Sequence, residues 1–317
     1  MISVVGHKAV QDRFLKAMGQ GRLPHAWLLY GQKGIGKSLL AEAIASAYLC
    51  EQNRISGSGK KACGECHSCK MFSADSHPDY YKLGMLEKKR DVNIEQIRQM
   101  LAFIQLSGAE SRHRVIILDD AECLNIQAAN ALLKGLEEPA HGNLILLVSN
   151  DHLRLPPTVR SRCILQLVSP LSPEDCLLVL QNLGIAEQAL GLAGKLACGS
   201  PGRVSCMQKV DICEGLEEWY KLMENPAEID IGTLETWISR NIKRIPHKLI
   251  SDMVIQRFDS DLSQQAPFSS QLALQQAAED IARWPELLRR HSLRPAQSLL
   301  ALVLCFRLAW RDVQQAI

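Results

Sequence analysis

One stretch, Gly31-Gln32-Lys33-Gly34-Ile35-Gly36-Lys37-Ser38, constrains this chain more than any other. It matches G-x-x-x-x-G-K-[ST], a turn that holds phosphates when a strand leads into it and a helix leaves it. Ala26-Trp27-Leu28-Leu29-Tyr30 before it predicts a short buried strand, and the run from Leu39 to Tyr48 predicts a helix. Gly31, Gly34 and Gly36 let the backbone close around phosphate oxygens, and the helix start turns its free N–H groups and positive dipole end toward them. Lys37 supplies a point charge and Ser38 a hydroxyl able to ligate Mg²⁺, so the expected ligand is a purine triphosphate, ATP with Mg²⁺. The expected fold class is α/β.

Further apolar runs fit the same core. Val115-Ile116-Ile117-Leu118 leads into Asp119-Asp120-Ala121-Glu122, which sets the Asp119 carboxylate where it can stand beside the Mg²⁺ of a phosphate-loop site. Tyr80-Tyr81 opens a strand-like segment, and Leu144 to Val148 predicts another buried strand, ending at Ser149-Asn150. Val92, Ile94, Ile97, Leu101 and Ile104 recur at helical spacing, as do Ala129, Leu132, Leu133 and Leu136. Near the N-terminus an amphipathic helix is expected to reach Met18, broken by Gly19, Gly21 and Pro24. The pair Val4-Val5 ahead of it has two readings, packing on an adenine base or plain core packing.

Cys50 closes the helix after the loop, and Cys63-Gly64-Glu65-Cys66-His67-Ser68-Cys69 follows. Three cysteines at C-x2-C-x2-C plus one on a rigid helix end supply four thiolates, which suits a closed, structural Zn²⁺ site. An iron–sulfur cluster uses similar spacings and remains the alternative. The set is complete without His67, which is expected to be exposed. Gly57 to Lys61 has the composition of a flexible loop that a metal would tie down. Eleven cysteines, an odd number with one tight cluster, fit a reducing compartment better than a disulfide framework. At 317 residues, 47% apolar and 22% charged, the chain has room for two or three ordinary globular domains. A net charge of +2 gives no sign of a strongly basic nucleic-acid binder, so any DNA contact is expected to be local or shared with partners. No stretch reaches the length of a membrane span and no leader pattern opens the chain, so the expected location is cytoplasmic.

Several segments carry a resemblance. Val5-Gly6-His7, then Gly21-Arg22-Leu23-Pro24-His25-Ala26, then the phosphate loop follow in order. Ala128-Ala129-Asn130-Ala131-Leu132-Leu133-Lys134-Gly135-Leu136-Glu137-Glu138-Pro139 and Ser161-Arg162-Cys163 come later. Together they resemble the AAA+ ATPases of bacterial sliding-clamp loaders. The resemblance implies an AAA+ core over 1–165 with the zinc module at 50–69, a small helical lid over 166–208, and an all-α collar used for oligomerisation over 209–317. Trp219, Trp237, Phe258, Trp284 and Trp310 are the core-sized anchors of that last part, and Leu299 to Phe306 is apolar all round, fitting a buried or partner-packed helix.

The resemblance also implies roles. Asn150 falls where AAA+ proteins keep a polar residue near the γ-phosphate. Arg162 would reach a neighbouring subunit's ATP, against the plainer reading of a solvated charge. Arg203 would be a second sensor, although relatives that hydrolyse ATP place that arginine one position earlier. Most active AAA+ enzymes position the attacking water with a glutamate where this chain has Asp120, one methylene shorter, so weak or absent hydrolysis is expected. Close relatives with a degenerate loop do not bind ATP, but this chain keeps the loop. The implied role is a stator-like member of a ring that opens the sliding clamp and closes it on primed DNA. Such a subunit belongs to the replicative polymerase holoenzyme without being the polymerase. Its partners would be the other loader subunits (delta and gamma or tau types), the clamp and, through the complex, DNA. Two other classes fit less well: the ATP-hydrolysing motor subunit of the same loader, which should carry Asp-Glu where this chain has Asp119-Asp120, and an unrelated AAA+ helicase or remodeller running as a homohexamer. A scaffold with a relic nucleotide site is the non-enzymatic reading.

Overall fold

The apolar runs of the first half become five parallel strands of one sheet in the computed structural model, which describes residues 4–84, 92–105, 113–137, 142–258 and 268–316. The strands are β1 (Ala26–Tyr30), β2 (Tyr80–Leu83), β3 (Arg114–Leu118), β4 (Asn143–Ser149) and β5 (Ile164–Leu167), in the order β2-β3-β4-β1-β5. Around them lie α1 (Lys8–Gly19), α2 (Lys37–Leu49), α3 (Glu51–Ser56), α4 (His67–Ser73), α5 (Ile94–Gln105), α6 (Ile126–Glu137) and α7 (Pro157–Arg160). Glu138 and Pro139, which end the segment over 128–139 quoted above, lie outside the described residues.

Helices on both faces explain why the central strands are apolar without alternation. Leu28, Ile116, Leu118, Ile145 and Leu147 pack on one face against Ile97 and Met100 of α5 and Leu132 and Leu136 of α6. Trp27, Leu29, Val115, Ile117, Leu144 and Leu146 pack on the other against Phe14 of α1 and Leu40 and Ile44 of α2. The strand β5 is an addition to the elements expected from sequence. It is an edge strand whose Leu165 and Leu167 are exposed, at 43% and 52%, so its apolar content does not report burial. A close approach there explains one glycine: a Cβ on Gly31 would stand 2.3 Å from the Val168 carbonyl oxygen.

A buried ion pair ties β2 to β3. Asp79 Oδ1 lies 3.3 Å from Arg114 Nε, with the two side chains 0% and 6% exposed. The Arg114 guanidinium also donates to the Phe103 carbonyl oxygen and sits 4.5 Å from the Phe103 ring centre, which joins α5 to the same point.

By contacts the chain divides into two compact units, Met1–Leu178 and Val179–Ile317. The boundary falls inside α8 (Pro173–Asn182). The second unit is helical: α9 (Leu190–Ala197), α10 (Val210–Leu222), α11 (Ile231–Asn241), α12 (His247–Phe258), α13 (Phe268–His291) and α14 (Pro295–Ala316). Trp219, Trp237, Trp284 and Trp310 are fully buried anchors, as expected, while the side chain of Phe258 lies outside what is described. Each polar ring edge is accounted for where it matters. Trp237 Nε1 donates to the Gly215 carbonyl oxygen at 2.8 Å, and Trp219 Nε1 to that of Ile250 at 3.3 Å. The α14 helix buries Leu299, Val303, Phe306 and Trp310 on one side, while Ala301, Cys305 and Leu308 on the other are exposed. Among the described residues no helix is long and apolar enough to cross a membrane.

Candidate nucleotide site and four-thiol centre

The phosphate loop, Asp119 and Asn150 meet at the carboxyl ends of β1, β3 and β4, the edge where open parallel sheets place ligands. Gly34 and Gly36 have φ values of 87° and 93°, a region that L side chains seldom enter, so the turn needs glycine at both. Lys37 is only 4% exposed. Its Nζ donates to the Gly31 carbonyl oxygen at 3.0 Å, to that of Gln32 at 2.7 Å and to Asn150 Oδ1 at 2.8 Å. Burial holds its pKa below the usual lysine range, against the pull of the Glu122, Asp119 and Asp120 carboxylates, which raise it. Ser38 Oγ is buried with no hydrogen-bond partner among the described residues. An ammonium spent on the loop's own carbonyls and a buried hydroxyl without a partner are what a phosphate and its metal would engage. The donor set fits MgATP.

Asp119 Oδ1 accepts from the Asp120 N–H at 3.0 Å, and Asp120 sits in a left-handed backbone conformation with φ 50°. Burial, then the neighbouring Asp119 and Glu122 carboxylates, push the Asp120 carboxyl above its ordinary range. Glu122 was not picked out from sequence, yet it organises the site. It accepts from the Asn150 backbone N–H at 3.1 Å and from Asn150 Nδ2 at 2.7 Å, which aims Asn150 Oδ1 at Lys37. The signal was present as an acid three residues after Asp119. His7 was also missed: its Nε2 donates to the Ile35 carbonyl oxygen at 2.7 Å, pinning the loop's apex.

The other expected residues have contacts of their own. Val4 and Val5 are half-buried, and Val4 packs with Phe14, Ala43 and Ala47 around a cavity of about 150 Å³ between α1 and α2. Arg162 Nη2 lies 2.6 Å from Glu137 Oε1, and its Nη1 donates to the Thr158 carbonyl oxygen at 2.9 Å. Arg203 belongs to the second unit, where it is paired with Asp252; the same carboxylate takes Lys248 Nζ at 2.8 Å.

The thiols of Cys50, Cys63, Cys66 and Cys69 lie within 4.8 Å of one another. Tetrahedral Zn–S bonds of 2.3 Å require edges of about 3.8 Å, and Cys63 and Cys69 already stand at 3.9 Å. The Cys66 N–H points at Cys63 Sγ and the Cys69 N–H at Cys66 Sγ, each at 3.4 Å. The Cys66 N–H first, and then the Glu65 N–H, bring the Cys63 thiol down to about 7. The module is tied to the sheet by Ser68, whose Oγ donates to the Leu49 carbonyl oxygen at 2.8 Å and lies 2.9 Å from His77 Nε2. His67 is exposed, as expected. The donor set fits Zn²⁺, which would supply a cross-link. We expect about one Zn²⁺ per purified chain by elemental analysis, with none, or iron in its place, as the overturning result.

Fold and site together define a phosphate-loop nucleotide-binding core of the AAA+ kind with a four-thiol module inserted after α2, the helix that leaves the phosphate loop. Residues 6–172 match the family model described as "DNA polymerase III, delta subunit", and the chain belongs to that family. Among curated relatives, the chain is 41% identical over 148 residues to "DNA polymerase III subunit delta'" of Pseudomonas aeruginosa, covering 47% of this chain and 44% of that one. It is 30% identical over 226 residues to the protein of the same name from Escherichia coli K12, covering 67% and 66%. The matches thus span about half to two thirds of those relatives' lengths. The crystal structure of a gamma subunit-related protein from Thermotoga maritima superposes with a TM-score of 0.52 at 15% identity, over 93% of this chain and 99% of that one, which supports the fold.

Proposed function

We propose that this chain is a delta-prime-type subunit of a bacterial sliding-clamp loader, acting with delta and gamma or tau subunits to load a clamp on primed DNA. The observation that carries this reading is the family match over the whole phosphate-loop unit. In this reading MgATP is held by the Gly31–Ser38 backbone and Lys37, its metal by Ser38 and Asp119, and Asn150 senses the γ-phosphate under the hold of Glu122. Bound Mg²⁺ supplies charge neutralisation at the phosphates. Zn²⁺ at the four thiols is structural. Asp120 takes the water-side position with one methylene less reach, so the isolated chain turns over slowly or not at all. Val4 and Val5 pack on the adenine base, and Arg203 is a second sensor toward the phosphates. Residues 166–208 form that lid and 209–317 the collar, whose exposed Ala301, Cys305 and Leu308 face on α14 is offered to neighbouring subunits.

Mixing the full chain with the delta and gamma or tau subunits of its own organism should give one complex in size-exclusion chromatography. Separate elution would sink the loader reading. The isolated chain should bind MgATP by calorimetry, and Lys37→Ala should weaken that by about 10- to 150-fold, the loss of one charged hydrogen bond of roughly 1.5–3 kcal/mol. Absence of binding by the wild-type chain would make the site a relic.

A further inference from the structure

The N-terminal segment reaches the apex of the phosphate loop through His7, whose Nε2 donates to the Ile35 carbonyl oxygen at 2.7 Å, across 28 residues. A carbonyl only accepts, so Nε2 carries the proton in this arrangement. We infer that His7 is a positioning residue for the triphosphate: it holds the Ile35–Gly36 peptide in the one of two orientations that aims the Gly36 N–H at a phosphate. This deepens the nucleotide reading above and rests on it. It also assigns His7 to the phosphates, although in the sequence it follows the Val4-Val5 pair read against the base.

Peptide geometry makes the link. A trans peptide is planar and sets its C=O and N–H on opposite sides, and no peptide bond among the described residues is cis. Holding the Ile35 carbonyl on His7 therefore turns the Gly36 N–H away from His7, toward the side on which the loop and the free N–H groups at the start of α2 take an anion. Half a turn of the same peptide would point the carbonyl there instead, with its negative end against a phosphate. The Ile35 side chain is 1% exposed and packs with Trp27 and Leu40, which fixes the place of the apex but not the direction of its carbonyl. That direction is left to His7.

The backbone records which orientation is held. Gly36 has φ 93°, and the nearest atom to a Cβ built there is His7 Nε2 at 4.0 Å, so glycine is needed for its conformation and not for room. The flipped peptide would take Gly36 to a negative φ, which any residue adopts.

His7 is itself held in a left-handed conformation, φ 52°, that residues other than glycine seldom enter. Its surroundings keep it there. Gln11, buried on α1, donates from Nε2 to the Gly6 carbonyl oxygen at 2.9 Å, and the His7 carbonyl oxygen accepts from the Val10 and Gln11 N–H groups at 3.0 and 3.1 Å. On the other side the chain is pressed by Leu171: a Cβ on Gly6 would stand 2.5 Å from its Cδ2. His7 occupies the position that precedes α1, yet its side chain makes no capping bond to that helix. The imidazole is thus spent on the phosphate loop and not on starting α1. An uncommon backbone state, fixed by its neighbours and aiming one side chain at a ligand-holding turn, is what a preorganised site requires.

The test is calorimetry of the full chain with MgATP, and displacement of MgATP by magnesium tripolyphosphate, which has the phosphates without sugar or base. His7→Ala should weaken both ligands by about 3- to 10-fold, the loss of one hydrogen bond of ordinary strength. His7→Gln should recover most of that for both, because glutamine carries an N–H the same number of bonds from the backbone; His7→Glu, of equal length and without the donor, should not. Melting temperatures are measured alongside. A role confined to folding would lower affinity and melting temperature together in all three variants, and would overturn the proposal. Weaker ATP with unchanged tripolyphosphate would assign His7 to the base, and tripolyphosphate unable to displace ATP from the wild-type chain would mean that the loop offers phosphates no cradle of its own; either overturns it. If the variants bind both ligands as the wild-type chain does, the role of His7 falls and the nucleotide reading stands. If the wild-type chain binds neither, both fall.

Discussion

Asp79→Ala should be the most damaging single change to the first unit. The Asp79 and Arg114 side chains are buried to 0% and 6% exposure, so removing the carboxylate leaves a guanidinium in the interior without that counter-charge, although the Phe103 carbonyl oxygen and ring still contact it. Breaking a buried pair from one side costs about 3–5 kcal/mol, against about 0–1 kcal/mol for an exposed pair. For a unit of this size that lowers the melting temperature by about 6–20 °C. Asp79→Ala with Arg114→Met should recover much of the loss, since the penalty is the stranded charge rather than the missing attraction. Differential scanning calorimetry of the three proteins decides this. A melting temperature within about 2 °C of wild type for Asp79→Ala would show that the pair is solvated in solution. The consequence reaches the metal module. The Asp79 N–H donates to His77 Nδ1 at 3.1 Å, which fixes the tautomer that places an N–H at Nε2, 2.9 Å from Ser68 Oγ between Cys66 and Cys69. Alanine keeps this N–H, so the route to the four-thiol module is the backbone shift that loss of the pair allows at Asp79, and the affinity of the module for added Zn²⁺ should fall together with the stability of the sheet.

What was legible in the sequence was what short-range chemistry dictates. The strand, loop and helix around Gly31–Ser38 stand where the pattern put them, and so do the Asp119 strand and the four cysteines, because each is specified by residues close in sequence or by a metal's fixed demand for four donors. What was not legible depends on partners far along the chain. Glu122 acquires its role only because β4 brings Asn150 beside it, 28 residues on. The pairing of Arg203 with Asp252, 49 residues away, is likewise a contact that nothing in the segment around Gly202 announces. The strand β5 went unread because an edge strand with exposed leucines breaks the link between apolar sequence and burial that periodicity arguments use. His7 looked like part of a family signature, and only the fold shows it holding the Ile35 carbonyl.

In the proposed loader, where Arg162 reaches a neighbouring subunit's ATP, the largest expected kinetic effect is that of Arg162, and the ion pair that now holds it does not stand in the way. Arg162 and Glu137 are 36% and 48% exposed, so their attraction is screened and costs at most about 1 kcal/mol to break. An arginine supplied to a neighbour's phosphate is worth about 10³–10⁵ in rate, or roughly 4–7 kcal/mol of transition-state stabilisation. The second figure outweighs the first several-fold, so a guanidinium parked on Glu137 is free to leave when a subunit edge presents a γ-phosphate. The Nη1 bond to the Thr158 carbonyl oxygen at 2.9 Å anchors the base of the fork to α7 in the meantime. Arg162→Ala should accordingly leave MgATP binding by this chain unchanged while lowering the DNA- and clamp-stimulated ATPase of the reconstituted loader by the share of one site. Arg162→Lys should rescue poorly, because a point charge cannot reproduce the planar fork. Glu137→Gln should leave turnover intact, which separates a parking contact from a catalytic one. The measurement is ATP turnover and clamp loading by complexes rebuilt with each variant, after equal assembly is confirmed by size-exclusion chromatography. Turnover unchanged in the Arg162→Ala complex would reduce Arg162 to a surface ion pair with Glu137.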